Sequence, residues 1–475
     1  MNVLLVNTNR IRPPIAPIGL DYLADAVVED GHGVRVLDLC FEDDVESAVL
    51  KQLRDFEPHV IGVTVRNTDD CYFTGAAFFL PDVKRVVEIL RAHSDAPIVL
   101  GGVGFSVAPE AVLQFVGADF GVVGSAEDSF LLLLRSLQNG RDLSTVPNLV
   151  VNRKGLVRRT ASRIFEAECV RSRSRMHVDN VRYFREGGQA GFETKRGCNK
   201  SCVYCADPVA KGRTLRLRPP KSVVSEIKAL LARGIDHFHT CDSEFNIPAD
   251  HAKDVCREII DSGLGDRIRW YAYCSVTPFD REMALLLRRA GCVGIDFGVD
   301  SGVDRMLRNL GREYTVDDIE QAARLCREQG IVFMFDLLLG GPGETKETIR
   351  ETIEVMRRIN PDCVGVSTGV RVYQGTRMAD LVCSLPDAVR ESSLHGDVES
   401  SPLFLKPVFY ISPEIGADIV AYTQTLIGDD PRFFIASTEA SQSNYNYNEN
   451  AVLIEAIRSG ARGAYWDILR RLRCG

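Results

Sequence analysis

The chain has 475 residues, of which 45% are hydrophobic and 26% are charged, and its formal net charge is −8. This length suits two or three domains, and the composition is that of a soluble globular protein. The acidic balance argues against a nucleic-acid-binding surface. No stretch reaches the run of about 20 apolar residues that spans a bilayer. The first residues follow a buried-strand pattern and not that of a signal peptide, so we expect a cytoplasmic protein.

The first 140 residues alternate short β-rich runs with amphipathic helical patterns such as Leu20–Val28 and Val83–Ala92. The predicted strands are Val3–Asn7, Val34–Leu39, Val60–Val65, Ile98–Gly102 and Phe120–Gly124. Because these runs are apolar throughout, the pattern predicts a doubly wound parallel sheet with helices on both faces. Such sheets bind ligands beyond the carboxyl ends of their strands, so the loops that follow these strands are the expected binding loops.

Residues 141–189 form a predicted connector. It contains a hairpin, Leu149–Val151 and Leu156–Arg158, and a basic stretch that includes Arg171, Arg173 and Arg175. A run of charge is most often a solvated face; the alternative is an anion contact.

Strand and helix patterns alternate again in residues 190–383. The predicted strands are Gly191–Thr194, His237–Cys241, Trp270–Cys274, Gly294–Val299, Phe333–Leu339 and Val364–Val372. The predicted helices are Ser222–Ala232, Ala249–Asp261, Arg281–Ala290, Val316–Gln329 and Lys346–Ile359. Six such units predict a partial parallel barrel, which is two units short of a complete one.

The composition changes in residues 384–475, which are rich in aromatic residues. We expect a small α-rich C-terminal domain that shapes the substrate pocket. Its Asn- and Tyr-rich run at 444–450 is either a loop over the barrel mouth or part of the packing.

Three cysteines, Cys198, Cys202 and Cys205, follow the first barrel strand with C-x-x-x-C-x-x-C spacing. Thiolates are soft ligands that select iron–sulfur clusters, zinc or cuprous copper. Three of them can bind three irons of a four-iron cluster and leave the fourth iron open. Zinc is the alternative, but its sites usually show a second cysteine or histidine pair, and no such pair follows here.

This motif resembles the signature of the radical S-adenosylmethionine (SAM) superfamily. The resemblance implies a [4Fe-4S] cluster whose open iron chelates SAM and cleaves it to a 5′-deoxyadenosyl radical. It also implies an electron donor such as flavodoxin or ferredoxin.

The barrel strand ends are similar to the SAM-binding segments of that superfamily. Asp300 stands where the family usually has Glu, and a surface salt bridge is the alternative role for Arg312. The residues that the resemblance assigns to SAM are Tyr204, Asp242, Ser243, Glu244, Asp300, Ser301, Arg312, Gly341 and Tyr373.

A doubly wound domain before such a barrel resembles the cobalamin-binding branch of the superfamily. The Asp-x-His-x-x-Gly motif that supplies a histidine ligand to cobalt elsewhere is missing, since His32 has no Gly three residues later. The residues that the resemblance assigns to cobalamin are Asn7, Thr8, Pro17, Gly19, Thr64, Arg66, Asn67, Gly101, Gly102, Gly124 and Glu127. A platform domain without a corrin is the alternative.

Together these resemblances imply a cobalamin-dependent radical SAM enzyme. The expected activity is C-methylation, in which methylcobalamin delivers a methyl group to a substrate carbon radical of a small metabolite or natural product. The alternatives are a non-methylating rearrangement, cyclisation or oxidation, or a radical SAM enzyme without cobalamin. The sequence identifies neither the substrate nor a catalytic acid or base.

Overall fold

A computed structural model describes residues 1–166, 171, 173–399, 401, 403–435 and 449–474. It confirms the predicted fold class: a doubly wound sheet, then a partial parallel barrel, then a mostly helical C-terminal region. Within these residues, no helix is long and apolar enough to cross a membrane.

The first domain is built from alternating strands and helices. Its strands are β1 (Asn2–Asn7), β2 (Gly33–Asp38), β3 (Val60–Thr64), β4 (Ile98–Gly101), β5 (Phe120–Val122), β6 (Leu149–Arg153) and β7 (Leu156–Arg159). Its helices are α1 (Ile18–Glu29), α2 (Val45–Asp55), α3 (Leu80–His93), α4 (Val103–Val107), α5 (Pro109–Val116) and α6 (Glu127–Asn139), and α7 (Asn180–Gly187) follows in the connector.

The strand order of this sheet is β2-β1-β3-β4-β5-β6-β7, with β1 to β5 parallel. Both faces of β1 are buried, since Leu4 and Val6 join one core cluster and Val3 and Leu5 join another. The chain order reverses between β1 and β3, which is where such sheets bind ligands. The hairpin predicted in the connector instead extends this sheet, because β6 pairs antiparallel with β5.

The barrel domain repeats the strand–helix pattern. Its strands are β8 (Ala190–Phe192), β9 (Lys195–Arg196), β10 (Arg216–Leu217), β11 (His237–Thr240), β12 (Arg269–Cys274), β13 (Cys292–Asp300), β14 (Val332–Leu339), β15 (Cys363–Thr368) and β16 (Val370–Arg371). Its helices are α8 (Asp207–Lys211), α9 (Pro220–Leu231), α10 (Ala249–Asp261), α11 (Arg281–Arg289), α12 (Asp304–Asn309), α13 (Val316–Gln329) and α14 (Lys346–Ile359). Thr345 caps α14 by accepting a hydrogen bond from the Thr348 backbone, as its position in the sequence predicts.

The C-terminal region comprises α15 (Arg377–Ser384), α16 (Asp387–Ser393), β17 (Leu394–Gly396), β18 (Val408–Tyr410), α17 (Ile419–Ile427), β19 (Phe433–Ile435), α18 (Ala451–Arg458) and α19 (Tyr465–Cys474). Its β19 pairs parallel with β15, so among the described residues the barrel sheet has seven strands, in the order β19-β15-β14-β13-β12-β11-β8. The region therefore adds to the barrel sheet, an addition that the sequence did not predict. Residues 444–448 of the Asn- and Tyr-rich run lie outside the described residues.

A buried charge network joins the two domains. Arg175, with a fully buried side chain, donates from Nε to Asp21 of α1 at 3.1 Å and from Nη1 to Glu226 of α9 at 2.7 Å. Glu226 also accepts from the Tyr22 hydroxyl at 2.8 Å and pairs with Arg218 at 2.8 Å. The basic stretch of the connector is thus neither a solvated face nor a ligand contact at this position: Arg175 ties the first domain to the barrel.

A second contact between the domains lies at the carboxyl end of the sixth barrel strand. The Arg371 guanidinium pairs with the fully buried Asp69 at 2.8 Å. The Tyr373 hydroxyl lies 3.3 Å from the Asp69 carboxylate and 2.9 Å from the Cys71 sulfur. We call these four residues the Asp69 latch.

Replacing Arg175 with Met should lower the free energy of unfolding by about 3–5 kcal/mol, because Asp21 and Glu226 would remain buried without this cation. Urea denaturation measures the change. The matched control is Arg182→Met, which removes a partly exposed pair with Glu186 and should cost less than about 1 kcal/mol. Equal losses in the two variants would contradict the assignment.

Candidate active site

The three cysteines of the C-x-x-x-C-x-x-C motif lie on one loop between β9 and α8. Cys198 is buried, whereas Cys202 and Cys205 are partly exposed. Two later helices hold this loop in place. The Val203 amide donates to the carbonyl oxygen of Leu310, at the end of α12, at 2.9 Å, and the amide of Met378, in α15, donates to the Val203 carbonyl oxygen at 2.8 Å. A loop fixed by backbone bonds on two sides presents its thiols in a defined geometry.

A glycine permits the close approach between the segment after α12 and the cysteine loop. Gly311 has φ of +79°, and a Cβ at that position would lie 2.5 Å from the Ser201 carbonyl oxygen. Any other residue there would push the segment after α12 away from the cysteine loop.

The thiols fit an iron–sulfur cluster better than a single metal ion. Within the part of the chain that the structure describes, no group of three or more His, Cys, Asp or Glu side chains is placed to hold one ion. In a cluster each thiolate binds a different iron, so the sulfurs need not converge on one point. Burial raises the pKa of all three thiols, to about 11 for Cys202, so cluster binding displaces protons from them.

Beside the loop, Tyr204, Asp300 and Arg312 form a compact hydrogen-bonded group. The Tyr204 hydroxyl donates to the Asp300 carboxylate at 2.8 Å, and the Arg312 Nε donates to the same carboxylate at 2.5 Å. Asp300 ends β13 with φ of +66°, in the left-handed region that costs a non-glycine residue energy. Strain at this position is typical of a functional site. Arg312 does form a salt bridge, with Asp300, but the pair is buried and not at the surface, since the Arg312 side chain is 8% exposed.

Glu244 lies on the open side of this group, with its carboxylate 3.7 Å from the Arg312 guanidinium. The pKa of Glu244 is raised to about 7, chiefly by burial, with the Arg312 charge opposing the rise and the Asp300 charge adding to it. A carboxylate with one distant cation as partner can accept an ammonium group, which is the role that the sequence suggested for it.

Four other residues predicted to contact SAM form hydrogen bonds with other residues of the protein. Asp242 accepts from the Thr194 amide and hydroxyl at 2.8 and 2.6 Å. Ser243 donates to Asp207. Ser301 bonds the Thr352 hydroxyl at 3.1 Å, and Tyr373 belongs to the Asp69 latch. These bonds hold the four side chains in place beside the site, and their contact with SAM stays a prediction.

The remaining predicted residue, Gly341, supports the loop after β14. Its amide donates to the buried Glu344 carboxylate at 3.0 Å, and a Cβ on it would lie 2.9 Å from the Leu310 side chain. The glycine-rich turn thus packs directly against the segment that holds the cysteine loop.

A cavity of about 400 Å³ lies between the strand ends of the first domain and the cysteine loop. Ten of the eleven residues predicted to bind cobalamin line it. The exception is Thr8, whose hydroxyl donates to the Thr64 carbonyl oxygen at 2.6 Å. The residues that line it are Asn7, Pro17, Gly19, Thr64, Arg66, Asn67, Gly101, Gly102, Gly124 and Glu127.

The wall of this cavity leaves room for a ligand to approach the backbone. At Gly19 and at Gly101, no atom lies within 4 Å of the point where a Cβ would stand, so side chains there would project into open space. Backbone without side chains allows close approach of a ligand. These observations fit a corrin at the reversal point of the sheet.

An ion pair links the cavity to the cysteine loop. Glu127, at the start of α6, accepts from Arg196 at 2.9 Å, and Arg196 lies two residues before Cys198. Burial opposes ionisation of Glu127, but the Arg196 and Arg173 guanidiniums outweigh it and lower the pKa to about 2. The pair is therefore fully charged at neutral pH.

The sequence did not predict the barrel side of the cavity. That side is lined by Glu193, Lys195, Arg196, Gly197, Ala210, Lys211, Arg216, Cys241, Asp242 and Ser243. The sequence did offer a signal, because these residues lie close to the cysteine motif or to the end of the second barrel strand. They face the first domain only once the two domains are docked.

Two family models match the chain: a B12 binding domain over residues 4–134 and the radical SAM superfamily over residues 192–356. The chain is 35% identical to a tryptophan 2-C-methyltransferase of Streptomyces laurentii, over 98% of this chain and 95% of that protein.

Solved structures agree with these matches. The radical SAM methyltransferase TsrM of Kitasatospora setae, with tryptophan and a SAM analogue bound, superposes with a TM-score of 0.91 at 32% identity. The match covers 99% of this chain and 97% of that one. A second structure of that protein, with cobalamin and a [4Fe-4S] cluster bound, gives a TM-score of 0.90.

SAM should bind more tightly as the pH rises from about 6 to 8, because Glu244 must lose its proton before it can pair with an ammonium group. Equilibrium binding to the cluster-loaded protein measures this. Glu244→Gln should weaken SAM binding about ten- to a hundredfold and flatten the pH profile. The control is Glu313→Gln, an exposed partner of Lys200. A flat wild-type profile would contradict the role of Glu244.

Gly101→Leu should lower the cobalt content per chain after reconstitution with cobalamin, because the new side chain fills the cavity without a clash in the protein. Gly101→Ala should have a much smaller effect. Iron content and thermal unfolding should stay as in the wild type. Unchanged cobalt binding in the Leu variant would contradict the placement of the corrin.

Proposed function

This chain belongs to the cobalamin-dependent radical SAM methyltransferases, and we propose that it transfers a methyl group to a carbon atom of a small aromatic metabolite. Tryptophan, on which the Streptomyces laurentii and Kitasatospora setae relatives act, is the first candidate substrate.

One observation carries the proposal: the cavity between the domains touches both the corrin-binding loops and the cysteine loop. Gly101 and Gly124 line one side, and Arg196, Gly197 and Lys211 line the other. A ligand in this cavity therefore lies beside Gly197, the residue before Cys198, and beside Ser243, the residue before Glu244. Proximity of this kind is what group transfer between two bound molecules requires.

Different side chains bind the cluster and SAM. Cys198, Cys202 and Cys205 hold the cluster, and Glu244 and Arg312 receive the amino and carboxylate groups of SAM. When bound, the cluster supplies an electron to SAM and cobalamin carries the methyl group. A reduced flavodoxin or ferredoxin is the proposed source of that electron.

The barrel excludes water from the reacting groups. Asp300 and Arg312 are nearly buried and hold each other in a fixed orientation. Strong hydrogen bonds of this kind fix the charged groups of the site in position before the reaction begins. Less free energy is then needed to reorient these groups during the reaction.

A non-methylating rearrangement, cyclisation or oxidation is the second candidate. The same cofactors serve these reactions, and the polar strand ends do not distinguish them. Product mass separates the two classes.

The test is anaerobic turnover of the reconstituted protein with methyl-labelled SAM and L-tryptophan. We expect a product that carries one labelled methyl group on carbon. Cys202→Ser should abolish the product because the cluster cannot assemble, whereas Cys383→Ser, at an exposed cysteine outside the motif, should not. A product without the label would support the second candidate, and no product from tryptophan would redirect the search to other aromatic metabolites.

A further inference from the structure

The interior of the barrel is polar at mid-height. Successive side chains of a strand point to opposite faces, and the alternate residues Ile295, Phe297, Phe335 and Leu337 belong to the core between sheet and helices. Asp296 of β13 and Asp336 of β14 therefore face the interior. The function proposed above makes no use of either residue.

The C-terminal helix closes the interior from below. A Cβ at Gly294 would lie 2.6 Å from the Tyr271 ring and 3.1 Å from the Trp466 ring. The Tyr271 hydroxyl donates to Asp467 at 2.8 Å. These residues of β12 and α19 lie against Gly294, two residues before Asp296 on the same face of β13, and form a floor beneath Asp296.

Above Asp296 lies the SAM site. Asp296 precedes the strained Asp300 by four residues on the same strand, and the Glu244 charge acts on it directly. A molecule held at Asp296 would thus lie between the floor and the groups that hold SAM.

Asp296 has an unsatisfied acceptor. It is 4% exposed, and its Oδ1 has no hydrogen-bond partner among the residues that the structure describes. Burying a carboxylate oxygen without a donor is costly. Its carboxyl group hydrogen-bonds Asp336, and burial together with that neighbour raises the pKa of Asp296, so the pair shares a proton.

Aromatic rings stand beside the carboxyl pair. His239 of β11 and Tyr273 of β12 contact each other with ring centroids 4.6 Å apart. Burial lowers the pKa of His239 to about 4, so the ring is neutral and does not compete as a cation. His239 lies on the same face of β11 as Cys241, which lines the cavity between the domains.

We propose that the Asp296–Asp336 pair binds the ammonium group of the substrate, which is therefore a primary amine with an aromatic group. An ammonium brings three donors and one positive charge, which match the unsatisfied Oδ1 and the single net charge of a carboxyl pair that shares a proton. His239 and Tyr273 supply the wall for the aromatic part. This inference rests on the proposed function, since it takes the barrel interior as the substrate site.

The test compares two ligands of nearly equal shape, tryptamine and the neutral 3-propylindole, in equilibrium binding to the anaerobic holoenzyme. The wild type should prefer tryptamine. Asp296→Asn should weaken tryptamine binding about ten- to a hundredfold and leave 3-propylindole unchanged. Asp336→Asn should likewise weaken tryptamine binding and leave 3-propylindole binding unchanged, so the inference can be tested even if the first variant misfolds. Thermal unfolding shows whether each variant is folded.

The matched control is Asp261→Asn at the exposed end of α10, which should change neither affinity. Equal binding of the two ligands to the wild type, binding of neither, or equal losses of both in the variants would overturn the inference. The proposed function is measured separately, as labelled methyl transferred from SAM to cobalamin in the wild type. Methyl transfer without amine preference removes only the inference, and amine preference without methyl transfer removes only the function.

Discussion

The placement of the two domains depends on a buried arginine. Arg175 lies between Asp21 of the first domain and Glu226 of the barrel, and all three side chains are shielded from water. Buried charges are tolerated only when they are paired in good geometry, so this network accepts one docking arrangement and penalises others. The cavity proposed for the corrin and the ion pair between that cavity and the cysteine loop both follow from that arrangement.

Within the barrel, polarity increases along the strands towards their carboxyl ends. The floor is aromatic, the middle carries two carboxyl groups, and the upper rim carries the strained Asp300 with its arginine and tyrosine partners. The chemistry at each depth depends on which residues of a strand face the interior of the barrel. The barrel thus holds groups of different chemistry at successive depths along its strands.

Local pattern was enough to predict several helices. The helices Ala249–Asp261, Val316–Gln329 and Lys346–Ile359 begin and end at the predicted residues, because apolar periodicity and caps are encoded locally. The loops predicted to bind cobalamin meet at one cavity because the carboxyl ends of parallel strands lie at the same edge of a sheet, and their contact with cobalamin stays a prediction. The roles of Arg175, β19 and the Asp69 latch were not predictable from local pattern, since their partners lie far away in sequence. Asp296 and Asp336 did carry a signal, as charged residues inside apolar strand runs, but only the structure brings them together.

The Asp69 latch and the Arg175 network hold the domains together at separate places. The space between the domains, where the corrin is proposed to bind, is therefore bounded by two surfaces whose separation is fixed by buried ion pairs. Widening that space would break these pairs, so the cost of any change in its width falls on the protein and not on the contacts of the cofactor.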